Sequence, residues 1–99
     1  MIRGTTPTMV FSLPFNTGVI SVAHITFMQR GKVVLDKELH ECKCNENEVE
    51  ITLTQEETLL FSSGYFIEAQ VRARNNAGEA LASDIIKIPA ERILKDGVI

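Results

Sequence analysis

The chain has 99 residues, of which 44 % are hydrophobic, and its ten Lys and Arg against thirteen Asp and Glu give a net charge of −3. This length indicates one domain, residues 1–99, and the hydrophobic content excludes general disorder. The basic residues are scattered and no apolar run reaches the length of a bilayer span, which argues against nucleic-acid binding and against a membrane role.

Most of the chain alternates apolar and polar residues with a period of two, which predicts strands with one face in a core and one in water. A polar segment, 1–7, is expected to be a flexible lead-in. The first strand follows over 8–13. The second strand, 21–29, and the third, 32–38, form a hairpin through Arg30–Gly31, because Gly tolerates the positive φ of a tight turn.

The middle of the chain contains two further predicted strands. A short fourth strand is expected over 40–44, and a fifth, with the cleanest alternation, over 48–53. The intervening Asn45–Asn47 reads as a turn, since Asn accepts left-handed geometry and bonds its own backbone.

The period changes after the fifth strand. Thr54 and Glu57 have the spacing of a capping box, in which the Thr side chain caps the helix start and the Glu side chain reaches back to the Thr N–H. This predicts a short helical crossover near residues 55–61, with Leu60 or Phe61 closing one end of the core.

The last predicted strands are the sixth, 65–75, and the seventh, 81–88, joined by a hairpin turn at 75–79. Residues 90–99 are expected to be a C-terminal tail, for which a short helix, an added edge strand and a mobile segment are the alternatives. About seven short antiparallel strands indicate an all-β fold, an immunoglobulin-like β-sandwich, with a small barrel as the alternative. The antibody pattern of Cys, Trp and Cys is missing, so aliphatic and Phe packing must hold the sheets together.

The one cluster with metal-ligating chemistry is His40, Cys42 and Cys44, which alternate onto one face of the predicted fourth strand. Thiolates and imidazole bind zinc or copper, but tetrahedral zinc takes four ligands and the only other histidine, His24, lies on another strand. We therefore expect no metal, and read the two thiols as reduced and either packed as small apolar groups or half-exposed near an edge.

Catalytic signatures are not found in the chain. Its serines lack the glycine context of a nucleophile elbow, and its glycines form neither a P-loop nor a dinucleotide fingerprint. We expect a protein that is not an enzyme, with no cofactor and no small-molecule substrate.

Surfaces that could dock a partner are the remaining candidates for a functional site. Edge strands of a sandwich present free N–H and C=O groups to which a partner strand can add. The tail adds apolar side chains that are unusual in a segment meant only for water, and we expect these to dock a protein partner: Ile93, Leu94, Val98 and Ile99.

Several segments together carry a family resemblance: Arg3–Thr8, Leu53–Phe61, Gln70–Arg72, Ala82–Ile85 and Glu91–Ile99. They resemble a family of small proteins carried by phages and prophages of Gram-positive bacteria among the genes for virion structure. The family is in turn similar, at the level of fold, to the N-terminal β-sandwich modules of phage baseplate proteins. The resemblance implies no catalytic or binding residues.

Residues and resemblance together predict a non-enzymatic structural or adaptor subunit of a phage tail or baseplate, which binds another virion protein or itself. The alternative is a small phage regulator that inhibits a host protein, and a minor third possibility is metal sensing. Met1–Gly4 lacks the apolar run of a signal peptide, so we expect a cytoplasmic protein when synthesised, whose incorporation into a virion needs no signal.

Overall fold

The computed structural model describes residues 1–99 and contains eight strands in two antiparallel sheets. Its one α-helix, α1, spans Gln55–Thr58, and 3₁₀ turns cover Thr17–Val19 and Leu39–Glu41. No helix has both the length and the apolar character that crossing a bilayer requires. The strands are β1 Thr8–Ser12, β2 Ile20–Gln29, β3 Lys32–Glu38, β4 Lys43–Asn45, β5 Glu48–Thr52, β6 Phe66–Asn75, β7 Ala80–Ala82 and β8 Ile86–Pro89.

The strand order follows the immunoglobulin arrangement. The smaller sheet has the order β1-β5-β4, and the larger has β3-β2-β6, with β7 and β8 both paired to β6. These sheets correspond to strands B-E-D and C′-C-F-G of an immunoglobulin sandwich. The predicted all-β antiparallel sandwich is confirmed, and the two sheets do not close into a barrel. In immunoglobulin domains a further strand, A, lies beside strand B, whereas here no segment pairs with the outer edge of β1.

The core lies between the sheets and takes alternate residues from both. Phe27 on β2 is its centre, with its ring edge-on to Phe11 at 6.4 Å and to Phe61 at 6.2 Å between centroids. Alternate residues along these strands are buried, as a period of two predicts. The buried cluster consists of Phe11, Leu13, Ile25, Phe27, Val49, Ile51, Leu53, Phe61, Ile67, Ala69, Val71 and Ala90.

The predicted hairpin of β2 and β3 is confirmed, and its turn has the left-handed geometry that the sequence indicated. Arg30 has a φ of 55° and Gly31 a φ of 77°, as in the two-residue turns that match the twist of the strands. The Arg30 guanidinium lies 4.4 Å from the Tyr65 ring centroid. A register shift between Phe27 and Met28 leaves β3 with a bulge at Val34.

The crossover also begins as predicted. The Thr54 hydroxyl accepts a hydrogen bond from the Glu57 N–H at 3.2 Å, and the Glu57 carboxylate accepts one from the Thr54 N–H at 2.9 Å. The α-helix ends at Thr58, earlier than the predicted 55–61. Of the two candidates for closing the core, Phe61 is buried and Leu60 is exposed.

The predicted seventh strand is two strands, because the chain leaves the ladder at Ser83. The Ser83 N–H still donates to the Val71 carbonyl, but the Val71 N–H donates to the Ser83 side-chain oxygen at 2.9 Å instead of to a carbonyl. The Gln70 side-chain amide donates a hydrogen bond to the Ser83 carbonyl at 2.9 Å. The hydroxyl thus replaces a backbone acceptor, and the strand resumes at Ile86.

The predicted fourth strand requires a correction. Residues 39–41 form a 3₁₀ turn, because the Cys42 N–H bonds back to the Leu39 carbonyl at 3.0 Å, and β4 begins only at Lys43. In the turn that follows, the left-handed residue is Glu46, with a φ of 48°, rather than either neighbouring Asn.

Both terminal segments contact the sandwich. The Met1 amino group donates to the Pro89 carbonyl at 2.6 Å, and Ile2 forms a parallel bridge with Glu91. The Arg3 guanidinium donates to the carbonyls of Phe61 and Leu59. The lead-in 1–7 therefore lies against the end of β8 and the crossover.

Candidate functional site

The structure does not bring His40, Cys42 and Cys44 onto one strand face. His40 belongs to the 3₁₀ turn, where its ring nitrogen lies 3.3 Å from the exposed Glu38 carboxylate. The expected alternation fails because that turn breaks the extended chain on which it depended. No group of three His, Cys, Asp or Glu side chains in the structure could hold a metal ion.

The two thiols differ in their surroundings. Cys44 is exposed, whereas Cys42 is half-buried and packs against the core, with its sulfur 3.5 Å from the Glu38 carbonyl. Burial, together with nearby Cys44 and Glu41, raises the pKa of the Cys42 thiol to about 11. Because the thiolate is both the nucleophile and the metal ligand, this environment suits a packed, protonated thiol.

The four tail residues expected to dock a partner are not equivalent. Ile93 is half-buried, and its methyl group lies against Gly4 beside the Leu59 side chain. The backbone of Ile99 is held by the Gln55 side chain, which accepts from its N–H at 2.9 Å and donates to its carbonyl at 3.3 Å. The side chains of Leu94 and Ile99 remain almost fully exposed, and that of Val98 about half.

The outer face of the larger sheet carries a polar cluster. Asp36 on β3 accepts a hydrogen bond from the Thr26 hydroxyl at 3.0 Å and lies 3.2 Å from the His24 ring nitrogen. Arg72 is the cross-strand neighbour of His24 on the other side, and Arg74 lies further along β6. The sequence alone did not indicate this cluster, because its members meet only through the register of three strands.

This face is a shallow, open surface. The His24 and Asp36 side chains are each more than two-fifths exposed, so groups reacting there would stay hydrated and charges would interact in a high dielectric. Around His24 this face is charged, with Asp36 and Glu38 on β3 and Arg72 and Arg74 on β6.

The outer edge of β1 carries unpaired backbone groups. The Leu13 N–H donates to the Asn47 carbonyl at 2.7 Å, and the Leu53 N–H donates to the Pro7 carbonyl at 3.0 Å. Antiparallel ladders alternate, so the odd-numbered residues of β1 bond to β5. The N–H and C=O groups of Thr8, Val10 and Ser12 therefore point away from the sheet, and nothing in the chain bonds to them.

A groove of about 540 Å³ lies beside this edge. One wall is formed by residues 10–14 and the other by Ala82, Ser83, Asp84 and Ile86, where the strand leaves the ladder of β6. Apolar side chains are exposed on both walls: Val10 is 51 % exposed and Ile86 is 38 % exposed, with Ile85 beside it at 56 %. We call β1 together with this groove the open edge.

The other three sheet edges carry the features that protect edge strands from pairing. The β3 strand is bulged and has four charged residues, Lys32, Asp36, Lys37 and Glu38. The β4 strand has only three residues. The β7–β8 edge is interrupted at Ser83 and its end is covered by the lead-in. The β1 strand, in contrast, has no charge, no proline and no bulge.

At the open edge, unpaired backbone and exposed apolar side chains thus coincide on a strand that has no charge, no proline and no bulge. The sequence indicated only that a sandwich has edges, and it pointed to the tail as the docking segment. No protein-family model, no curated protein and no solved structure matches this chain.

Proposed function

We propose that this protein is a non-enzymatic structural or adaptor module that acts through protein–protein contacts, in the tail or baseplate region of a phage particle. The observation that carries the docking part of the proposal is the open edge. The resemblance of the segments quoted above to phage virion-region proteins supports its location.

The open edge suits docking by strand addition. A strand that pairs with β1 satisfies backbone groups that otherwise only water can reach, and this gives affinity without demanding a particular sequence. Specificity then comes from side chains at alternate positions, here Val10 and the groove beside it. The charged outer face of the larger sheet and the exposed tail residues Leu94 and Ile99 offer further contact area.

The test is the protein composition of purified particles. Virions from a strain that carries the gene, separated by density gradient, are expected to contain the protein at a fixed ratio to the tail proteins. In particles made with Val10→Lys, which places a charge on the open edge, we expect at least tenfold less of it. Val33→Lys, at an exposed valine of the protected strand β3, is the matched control and should be retained.

Two results would contradict the proposal. Complete absence from particles, with a host enzyme as the stoichiometric partner in cell extracts, would instead support the regulator hypothesis. Equal retention of both variants would mean that the open edge does not hold the protein in the particle.

A further inference from the structure

We infer that the partner of the open edge is a second copy of this chain, bound with its β1 antiparallel to the first across a two-fold axis at Val10. The two smaller sheets then join into one six-stranded sheet. This inference rests on the proposed docking function and names its partner.

The backbone geometry fits such a pairing. The groups that point outward belong to Thr8, Val10 and Ser12. With an axis at Val10, Val10 of one copy lies opposite Val10 of the other, Thr8 lies opposite Ser12, and Ser12 lies opposite Thr8. In an antiparallel ladder, each such hydrogen-bonded pair exchanges two hydrogen bonds. Three pairs with two bonds each give six bonds. No register shift is needed, because the outward set is symmetric about Val10.

The side chains of β1 are compatible with a copy of themselves. The strand is Thr-Met-Val-Phe-Ser, so no like charges meet across the axis. The nearest acidic residue in that row, Glu50, is the neighbour of Val10 on β5. Two such carboxylates would lie three strand spacings apart, about 14 Å, beyond the Debye length of about 8 Å at physiological salt.

The groove adds apolar surface beside the joined strands. Its wall opposite β1 includes Ile86, which is 38 % exposed, and its wall on β1 includes Val10, which is 51 % exposed. A second copy paired to β1 would therefore cover apolar side chains as well as backbone groups.

The dimer is expected to be weak. A seam one strand long buries less than the roughly 1,000 Å² of a stable interface, so we expect a Kd on the order of 100 μM. A weak contact suits an assembled particle, where neighbouring subunits supply a high local concentration.

Sedimentation equilibrium tests the association. The apparent mass is expected to rise with concentration from 11.0 kDa, the mass of one chain, toward twice that value. Val10→Lys should raise the Kd at least tenfold, while Val33→Lys should leave it unchanged. A mass that stays at one chain up to about 1 mM, or an equal response of the two variants, would overturn the inference.

Disulfide trapping tests the register. Residues directly opposite in a hydrogen-bonded pair lie about 5.5 Å apart at Cα, within disulfide reach. With Cys42 and Cys44 changed to Ala, Val10→Cys should oxidise to a covalent dimer, whereas Val33→Cys and Glu50→Cys should remain monomeric. Equal dimer yield at all three positions would indicate random collision and would overturn the two-fold arrangement.

These outcomes separate the two proposals. If the protein is monomeric but Val10→Lys is lost from particles, the open edge binds a different protein, so the second-copy inference fails while the docking function stands. If a dimer forms through Val10 but the protein never enters particles, the virion setting fails while the second-copy contact stands.

Discussion

The Lys37 side chain forms ion pairs that link β3 to α1 and to the 3₁₀ turn Leu39–Glu41. It pairs with Glu57 of α1 and, at 2.9 Å, with Glu41 of the 3₁₀ turn. Burial alone would favour the uncharged forms of Lys37 and Glu57. The hydrogen bond between the two side chains, together with those between Lys37 and Glu41 and between Glu57 and Thr54, outweighs this effect of burial. The pKa of Lys37 is therefore raised, and that of Glu57 is held below its ordinary value of 4.5.

This pair predicts an acid-dependent contribution to stability. Because the pKa of Glu57 is depressed on folding, its ionised form stabilises the protein above about pH 4.5, and this stabilisation is lost as pH falls through the folded-state pKa. Glu57→Gln should lower the free energy of unfolding by about 1 kcal/mol at neutral pH, and the gap from wild type should close in acid. Urea unfolding at several pH values measures both.

The matched control is Glu56→Gln, at the exposed neighbour on the same helix, whose side chain forms no hydrogen bond or ion pair within the chain. It should change stability by less than about 0.5 kcal/mol and leave the acid dependence as in wild type. Identical pH profiles for the two variants would show that the Lys37 pair does not contribute.

The β2–β3 hairpin shows how one residue sets the geometry of an element. Gly31 has a φ of 77°, and a Cβ placed there meets no atom within 4 Å, so the cost of a side chain would be backbone strain alone. Gly31→Ala should destabilise the protein by about 1–2 kcal/mol, a fall in Tm of roughly 4–16 °C for a domain of this size. Calorimetry measures it, with Lys32→Ala as control. Equal Tm values for the two variants would contradict this account.

Elements defined by local chemistry were predictable, and those that depend on distant partners were not. The bounds of β3 and the start of α1 follow from the Arg30–Gly31 turn and the Thr54 capping box, which act within a few residues. The break between β7 and β8 depends on Ser83 bonding Val71, twelve positions away in sequence. A period of two cannot reveal it, because the apolar alternation continues on both sides.

At the scale of the whole molecule, the sequence predicted two stacked sheets but not their strand order. The order decides which edge is open, because a strand exposes unpaired backbone groups only on a side where no other strand pairs with it. The placement of β5 between β1 and β4 leaves one side of β1 unpaired. The candidate docking site could therefore be found only after the fold, whereas the tail residues could be named from their apolar character alone.

The sandwich as a whole depends on alternate residues facing a single core, and two adjacent positions on β5 test this directly. Ile51 is 1 % exposed between the sheets, whereas Glu50 faces outward between Val10 and Lys43. Ile51→Asp buries an unpaired charge, which costs several kcal/mol against a total stability of about 5–15 kcal/mol, so the domain should unfold. Glu50→Lys should change stability by less than about 0.5 kcal/mol. Circular dichroism and urea unfolding compare them; a folded Ile51→Asp, or an unfolded Glu50→Lys, would mean that β5 faces the core with the opposite set of side chains.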